Sequence, residues 1–210
     1  MAGCGGSDDG DDQDGPTADS FSSDDPGADP ADYLPVPEGV TLTEAGAELG
    51  LGDQATVAWR PRQDTVVAVD LVVERIDRTT FEESFDGWLV TPEMKGQVPY
   101  FVLATATNVG AHAVGDLLVP LYGATSGRMY EPLDFREELF EPCPGGTLPE
   151  QLRPGRSTEL CFVYLLPKEQ QLEAAAFDVG GELSPVRWSG RITAIEEPDN
   201  DRKKDGKAER

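Results

Sequence analysis

Residues 99–135 read PYFVLATATNVGAHAVGDLLVPLYGATSGRMYEPLDF, and this stretch decides the fold. Tyr100, Val102, Ala104 and Ala106 alternate with Phe101, Leu103, Thr105 and Thr107. Successive side chains of an extended chain point to opposite sides, so a two-residue period makes one strand with two different faces. Asn108 to Gly110 end it with residues that tolerate the left-handed backbone of a turn. Leu117 to Tyr122 read as a second strand, Ser126-Gly127 as a turn, and Met129 to Phe135 as a third strand running back.

The same pattern extends outward. Val40 to Leu51 hold a weak first strand, and Gly50 to Asp53 make a turn. Gln54 to Arg60 (QATVAWR) form the next strand, which Pro61 stops because it has no N–H for the ladder. In Thr65 to Ile76 (TVVAVDLVVERI), alternation turns Val67, Val69, Leu71 and Val73 to the core and Ala68, Asp70 and Glu74 to solvent. Residues 77–98 form a long connection, with Phe81, Phe85 and Trp88 against the sandwich and a short helical turn over Phe81 to Trp88. After the loop EPCPGGTLPEQLRPGRS come three more strands: Thr158 to Leu166, Leu172 to Val179 and Val186 to Ile195. Short strands with regular turn signals and almost no helical period specify an all-β fold. We expect an immunoglobulin-like antiparallel β-sandwich of about 7–9 strands. It covers residues 39–195, and 196–210 form a polar C-terminal tail.

Ahead of it, residues 1–38 are expected to be a disordered acidic tether. Residues 5–38 are rich in Asp, Gly, Ser and Pro, with few apolar residues and no Lys or Arg. Such a segment cannot bury enough surface to offset its conformational entropy. Residues 1–59 carry 14 Asp and Glu without one basic residue, hence −14 of the chain's net −23. The remainder holds 26 acidic and 17 basic residues, or −9. No basic patch exists to displace counterions from phosphates, so nucleic acid is not an expected partner. Adaptation to high salt is a second reading of the acidity.

Cys143 and Cys161 lie without C-x-x-C spacing in a chain with a single histidine, which gives a zinc site little support. We read them as a disulfide, which places the chain in an oxidising, extracytoplasmic compartment; two buried free thiols are the alternative. Cys4, after Ala2-Gly3, matches the cleavage end of a bacterial lipoprotein signal, where the cysteine becomes lipidated. No charged n-region and apolar h-region stand before it, so membrane attachment through Cys4 is expected of a chain with a full signal peptide. No run of 18 or more apolar residues is present, the length a spanning helix needs.

Residues that carry chemistry are sparse. His112 sits alone in the turn NVGAHAVG, and no G-x-S-x-G stretch supplies a nucleophile; the serine of GATSG (Ser126) belongs to a turn. The pairs Glu82-Glu83, Glu137-Glu138 and Glu196-Glu197 are adjacent in sequence, so on a strand they would point apart. Met94 and Met129 are too far apart in sequence to suggest copper. Among Asp8, Asp9, Asp11, Asp12 and Asp14 no acidic triple spaced by two is followed by the Gly and closing Glu of a calcium loop. No glycine-rich phosphate loop occurs, and no cofactor is expected. Trp59, Trp88 and Trp188 would make a sugar-stacking platform only if they shared one exposed face; in a sandwich such residues more often fill the core.

The segments LGDQATVAW (51–59), VLATATNVG (102–110) and LRPGRSTELCFVYLLP (152–167) resemble telokin-like, immunoglobulin-like domains of unknown function. Such domains recur in secreted lipoproteins of Gram-positive, chiefly actinobacterial, species. The resemblance covers roughly residues 42–195 and implies a membrane-anchored, extracellular setting, with no catalytic residues to transfer. In such domains a cysteine before a Pro-Gly turn pairs with one in the following strand, which would match Cys143 and Cys161. The expected function is a non-enzymatic, lipid-anchored binding or structural domain at the outer face of the plasma membrane, with an unknown protein or cell-wall ligand as partner. A cell-wall carbohydrate or small-ligand sensor is the alternative, and an envelope enzyme with an unrecognised carboxylate site a third reading. Binding surfaces are expected in loops 77–98 and 136–156.

Overall fold

The computed structural model describes residues 33–133, 135 and 140–195. The acidic stretch through Asp32, Glu137-Glu138 and the tail from Glu196 lie outside them. Two sheets pack face to face as a β-sandwich, as the periodicity predicts. Ten strands follow in order: β1 (Glu48–Gly50), β2 (Gln54–Arg62), β3 (Thr65–Arg78), β4 (Gln97–Asn108), β5 (Leu121–Ala124), β6 (Met129–Tyr130), β7 (Ser157–Pro167), β8 (Ala174–Phe177), β9 (Val186–Ser189) and β10 (Ile192–Ala194). A one-turn helix α1 (Phe81–Ser84) and a 3-10 turn (Met94–Gly96) fall between β3 and β4. One sheet has the order β1-β9-β8-β5-β6; the other runs β10-β3-β4-β7, with β2 also pairing β3. β2 lies along Thr65 to Val72 and β10 along Ile76 to Arg78, so they share one edge of β3. Two short edge pairings, β1 with β9 and β10 with β3, are parallel rather than antiparallel.

Between the sheets, Val69, Leu71, Tyr100, Val102, Phe162 and Tyr164 meet Leu121, Ala175, Phe177, Val186 and Trp188. Tyr164 Oη donates to the carbonyl of Leu121 (2.8 Å), joining β7 to β5 across the core. Gly123 makes room there: a Cβ on it would lie 2.9 Å from the Tyr164 ring. The Trp188 indole N–H donates to the carbonyl of Asp53 (2.9 Å).

The larger sheet is also covered on its outer face. Phe101 of β4 and Cys161 and Val163 of β7 pack there with Phe85, Phe140 and Cys143. Phe140 stacks on Phe85 (4.7 Å) and Phe135 (5.0 Å), and Trp88 meets its edge (5.2 Å). Cys143 and Cys161 are joined in a disulfide, with Cα atoms 5.0 Å apart. Burial on both faces explains why TELCFVYLL is an almost unbroken apolar run.

Several sequence expectations need correction. Ala68 is buried rather than solvent-facing, because Leu42, Leu34, Val36 and Tyr33 cover that side of β2 and β3. Tyr33 to Val36, assigned by sequence to the tether, thus lie on the sheet, and the Ala58 N–H donates to Tyr33 Oη (3.2 Å). Pro61 does not stop β2; it sits in a bulge where the register shifts between Trp59 and Arg62, the place a sheet tolerates proline. A second bulge between Val73 and Arg75 resets the alternation of β3, so Ile76 follows Val73 into the core. The second strand of the opening stretch starts at Leu121, not Leu117, after Pro120, and the third ends at Tyr130, before Pro132. β4 and β5 also belong to different sheets. The strand expected over Val186 to Ile195 is two, because the chain changes sheets at Gly190. A Cβ on Gly190 would come within 2.8 Å of the Leu51 side chain. The first strand shrinks to Glu48–Gly50 and the helical turn to Phe81–Ser84.

Asn108 ends β4 and is fully buried. Its Nδ2 donates to the carbonyls of His112 and Leu152 (2.8 Å each), and its Oδ1 accepts from the Gly110 N–H (2.8 Å). One amide thus ties the turn after β4 to the loop before β7. Asn108→Ala strips the buried Leu152 carbonyl and the partly buried His112 carbonyl of a donor and should cost about 2–4 kcal/mol in urea unfolding. Asn108→Asp should not restore the loss, since an ionised carboxylate has no donor.

Burial, and then the neighbouring Tyr122, push the Tyr164 hydroxyl well above the usual tyrosine range. An acid kept neutral by the fold ionises first in the unfolded chain. Stability should therefore be full below about pH 10 and fall above it, by about 1.4 kcal/mol per pH unit from this group. Tyr164→Phe should remove that share of the alkaline slope, at a cost of about 1–2 kcal/mol at neutral pH, read by urea melts across pH 7–11.

Candidate functional site

The sandwich end that holds the β3–β4 connection carries a cleft of about 690 Å³, within the roughly 300–1,000 Å³ usual for small-molecule sites. Sheet register builds it. β3 ends at Arg78, which pairs with Tyr100 near the start of β4. Gln97, the first residue of β4, pairs with Pro167, the last of β7. Arg78, Lys95 and Lys168 therefore stand at the same end of three adjacent strands, and all three line the cleft. The Ile195 N–H donates to the Arg78 carbonyl (2.9 Å), which brings the end of β10 to the rim.

The apolar lining comes from Phe81, Val90, Val98, Pro99, Ala194 and Ile195. Phe81 is fixed because α1 is capped: Thr80 Oγ1 accepts from the Glu83 N–H (3.2 Å), and Glu83 Oε2 accepts from the Thr80 N–H (3.0 Å). Glu83 Oε2 also accepts from the hydroxyl of buried Thr79 (3.3 Å). That carboxylate is engaged in holding the helix, so Glu82-Glu83 is not a pair poised for acid–base work. Arg78, Lys95 and Lys168 are exposed and make no ion pair among the described residues. Lys95 and Lys168 are the only lysines before Lys203.

Of the two loops expected to bind, 77–98 supplies most of the cleft, and the described part of 136–156 none of its lining. The described part of the second loop is structural. Its Leu148 and Leu152 enter the core, and its backbone pairs with Val114, Leu117 and Val119 and, at Gly145, with Cys161. Trp188 and Trp59 are buried in the core and Trp88 is half-buried against Phe135 and Phe140, so no exposed tryptophan platform exists. His112 is exposed in its turn. Met94 precedes β4 in one sheet while Met129 lies in β6 of the other. Among the described residues no group of three His, Cys, Asp or Glu is arranged to hold a metal. No helix among them is long and apolar enough to cross a membrane. Cys4 lies outside the described residues.

Sequence reasoning singled out Phe81 but missed Arg78, Lys95, Lys168 and Ile195. The available signal was rarity: two lysines in the first 202 residues, 73 positions apart, which only the β4–β7 register brings together.

No protein-family model matches the chain, and no curated protein matches it. Two solved structures are similar to it. MPT63, a secreted protein from Mycobacterium tuberculosis, is 14% identical over 68% of this chain and 96% of its own, with a TM-score of 0.47. An uncharacterised β-sandwich protein from Clostridium difficile 630 is 12% identical over 74% of this chain and 99% of its own, with a TM-score of 0.38. Identities this low carry neither a site nor an activity to this chain.

Exposed cations without ion pairs add little to stability. Lys95→Gln with Lys168→Gln should change the urea-unfolding free energy by less than about 0.5 kcal/mol; a larger loss would assign the two lysines to the scaffold.

Proposed function

We propose that this chain is a non-catalytic binding domain that works outside the plasma membrane, with the end cleft as its contact surface. The carrying observation is the cleft itself: an apolar floor ringed by Arg78, Lys95 and Lys168 in a chain of net charge −23. Cations left without carboxylate partners among the described residues, amid so many carboxylates, are a local reversal of the surface field. The Cys143–Cys161 disulfide supports an oxidising compartment. The same pairing agrees with the resemblance to telokin-like lipoprotein domains, and Ala2-Gly3-Cys4 followed by acidic, Gly- and Ser-rich sequence supports a lipid anchor on Cys4. A stiff sandwich on a long anionic leash would present the cleft away from the membrane surface.

The test is capture from envelope extract by the immobilised full chain beside Lys95→Glu/Lys168→Glu. We expect a component that the parent retains and the variant loses by about tenfold or more; equal retention by both removes the cleft from this reading. In cells, palmitate labelling should vanish in Cys4→Ser, and labelling that persists there would remove the anchor.

A further inference from the structure

We propose that the end cleft takes an amphiphile with a single carboxylate head, a medium-chain fatty acid or a molecule of that shape. This rests on the binding reading above and specifies its ligand class. The cleft is chemically two-sided. Phe81, Val90, Val98 and Ile195 offer aliphatic and aromatic surface, while the three cations come from separate elements: the end of β3, the 3-10 turn before β4 and the residue after β7. An anionic head suits the cations, and an apolar body suits the floor.

The chain's own charge selects between anionic partners. At net −23, a polyanion such as an acidic peptide or a vesicle rich in anionic lipid meets repulsion from the whole molecule, beyond the few cations that welcome it. A lone carboxylate gains the same local cations and brings one charge into that field. Among the described residues the cleft's charged lining, three cations against Glu82 and Glu83, sums to +1, which a single negative charge neutralises. The engaged position of Glu83 leaves Glu82 as the one lining carboxylate outside the capping network among the described residues.

The experiment is calorimetric titration of the full chain with decanoate below its micelle concentration. Parallel titrations use butyrate, decanol and decyltrimethylammonium. Saturable decanoate binding is expected, about tenfold or more tighter than each of the other three, and weakened at least about tenfold in Lys95→Gln/Lys168→Gln. Ile195→Ser, at an exposed rim position, should also weaken decanoate while leaving butyrate unchanged. The proposal is overturned by absent saturable decanoate binding, by equal affinity of the lysine variant, or by equal affinity for decyltrimethylammonium. Capture by phosphatidylglycerol vesicles without decanoate binding would overturn it in favour of a lipid surface. Should decanoate fail while envelope capture still depends on Lys95 and Lys168, only the ligand class is lost and the binding reading stands.

Discussion

Strand β4 is paired along both edges, and its first half is covered on both faces. It lies between β3 and β7 with Tyr100, Val102, Ala104 and Ala106 turned to the partner sheet and Phe101 turned to a second cluster outside. An apolar residue such as Phe101 on the outer side demands cover there, and that demand shapes the rest of the chain. The β3–β4 connection, the segment around Phe140 and the disulfide supply it over β4 and β7. Residues 33–42 supply it over β2 and β3. What would be loops at the ends of a simpler sandwich become a partial third layer.

The cleft is a by-product of that layer. Bringing α1 back over the outer face requires the chain to turn at Thr79-Thr80 and return through the 3-10 turn at Met94–Gly96. The hollow between this excursion and the ends of β7 and β10 is where the three cations stand. The capping box at Thr80 and Glu83 holds the excursion in place with local hydrogen bonds. The loop before β7 is committed differently, since Leu148 and Leu152 are spent on the core and Asn108 grips its backbone.

Much of the fold was legible because alternation is a local signal. The two faces of residues 100–107 and the inward set Val67, Val69, Leu71 and Val73 were read from period alone, and all four of the latter are buried. The failures lie where the deciding partner is distant. Alanine at 68 is small enough for either face, and what buries it is a segment some thirty residues earlier. Bulges at Pro61 and between Val73 and Arg75 shift register by one residue, which hydrophobic pattern does not encode. In VRWSGRITAI both halves alternate acceptably, and only the crowding of Gly190 against Leu51 reveals a change of sheet. The candidate site was less legible still, because Arg78, Lys95 and Lys168 have no motif in common; they share only a sheet end.

The wall of the cleft nearest the chain's end is also its least secured part. β10 contributes three residues, none of them buried, and holds to the sheet by one short parallel pairing along Ile76 to Arg78. Such an edge opens by local fraying at far lower cost than the enclosed strands beside it, so its amides exchange first. A guest resting on Ala194 and Ile195 would bind the closed form alone and slow that fraying by mass action. Occupancy would then be written into the hydrogen-exchange clock of the final strand while the sandwich itself stays silent.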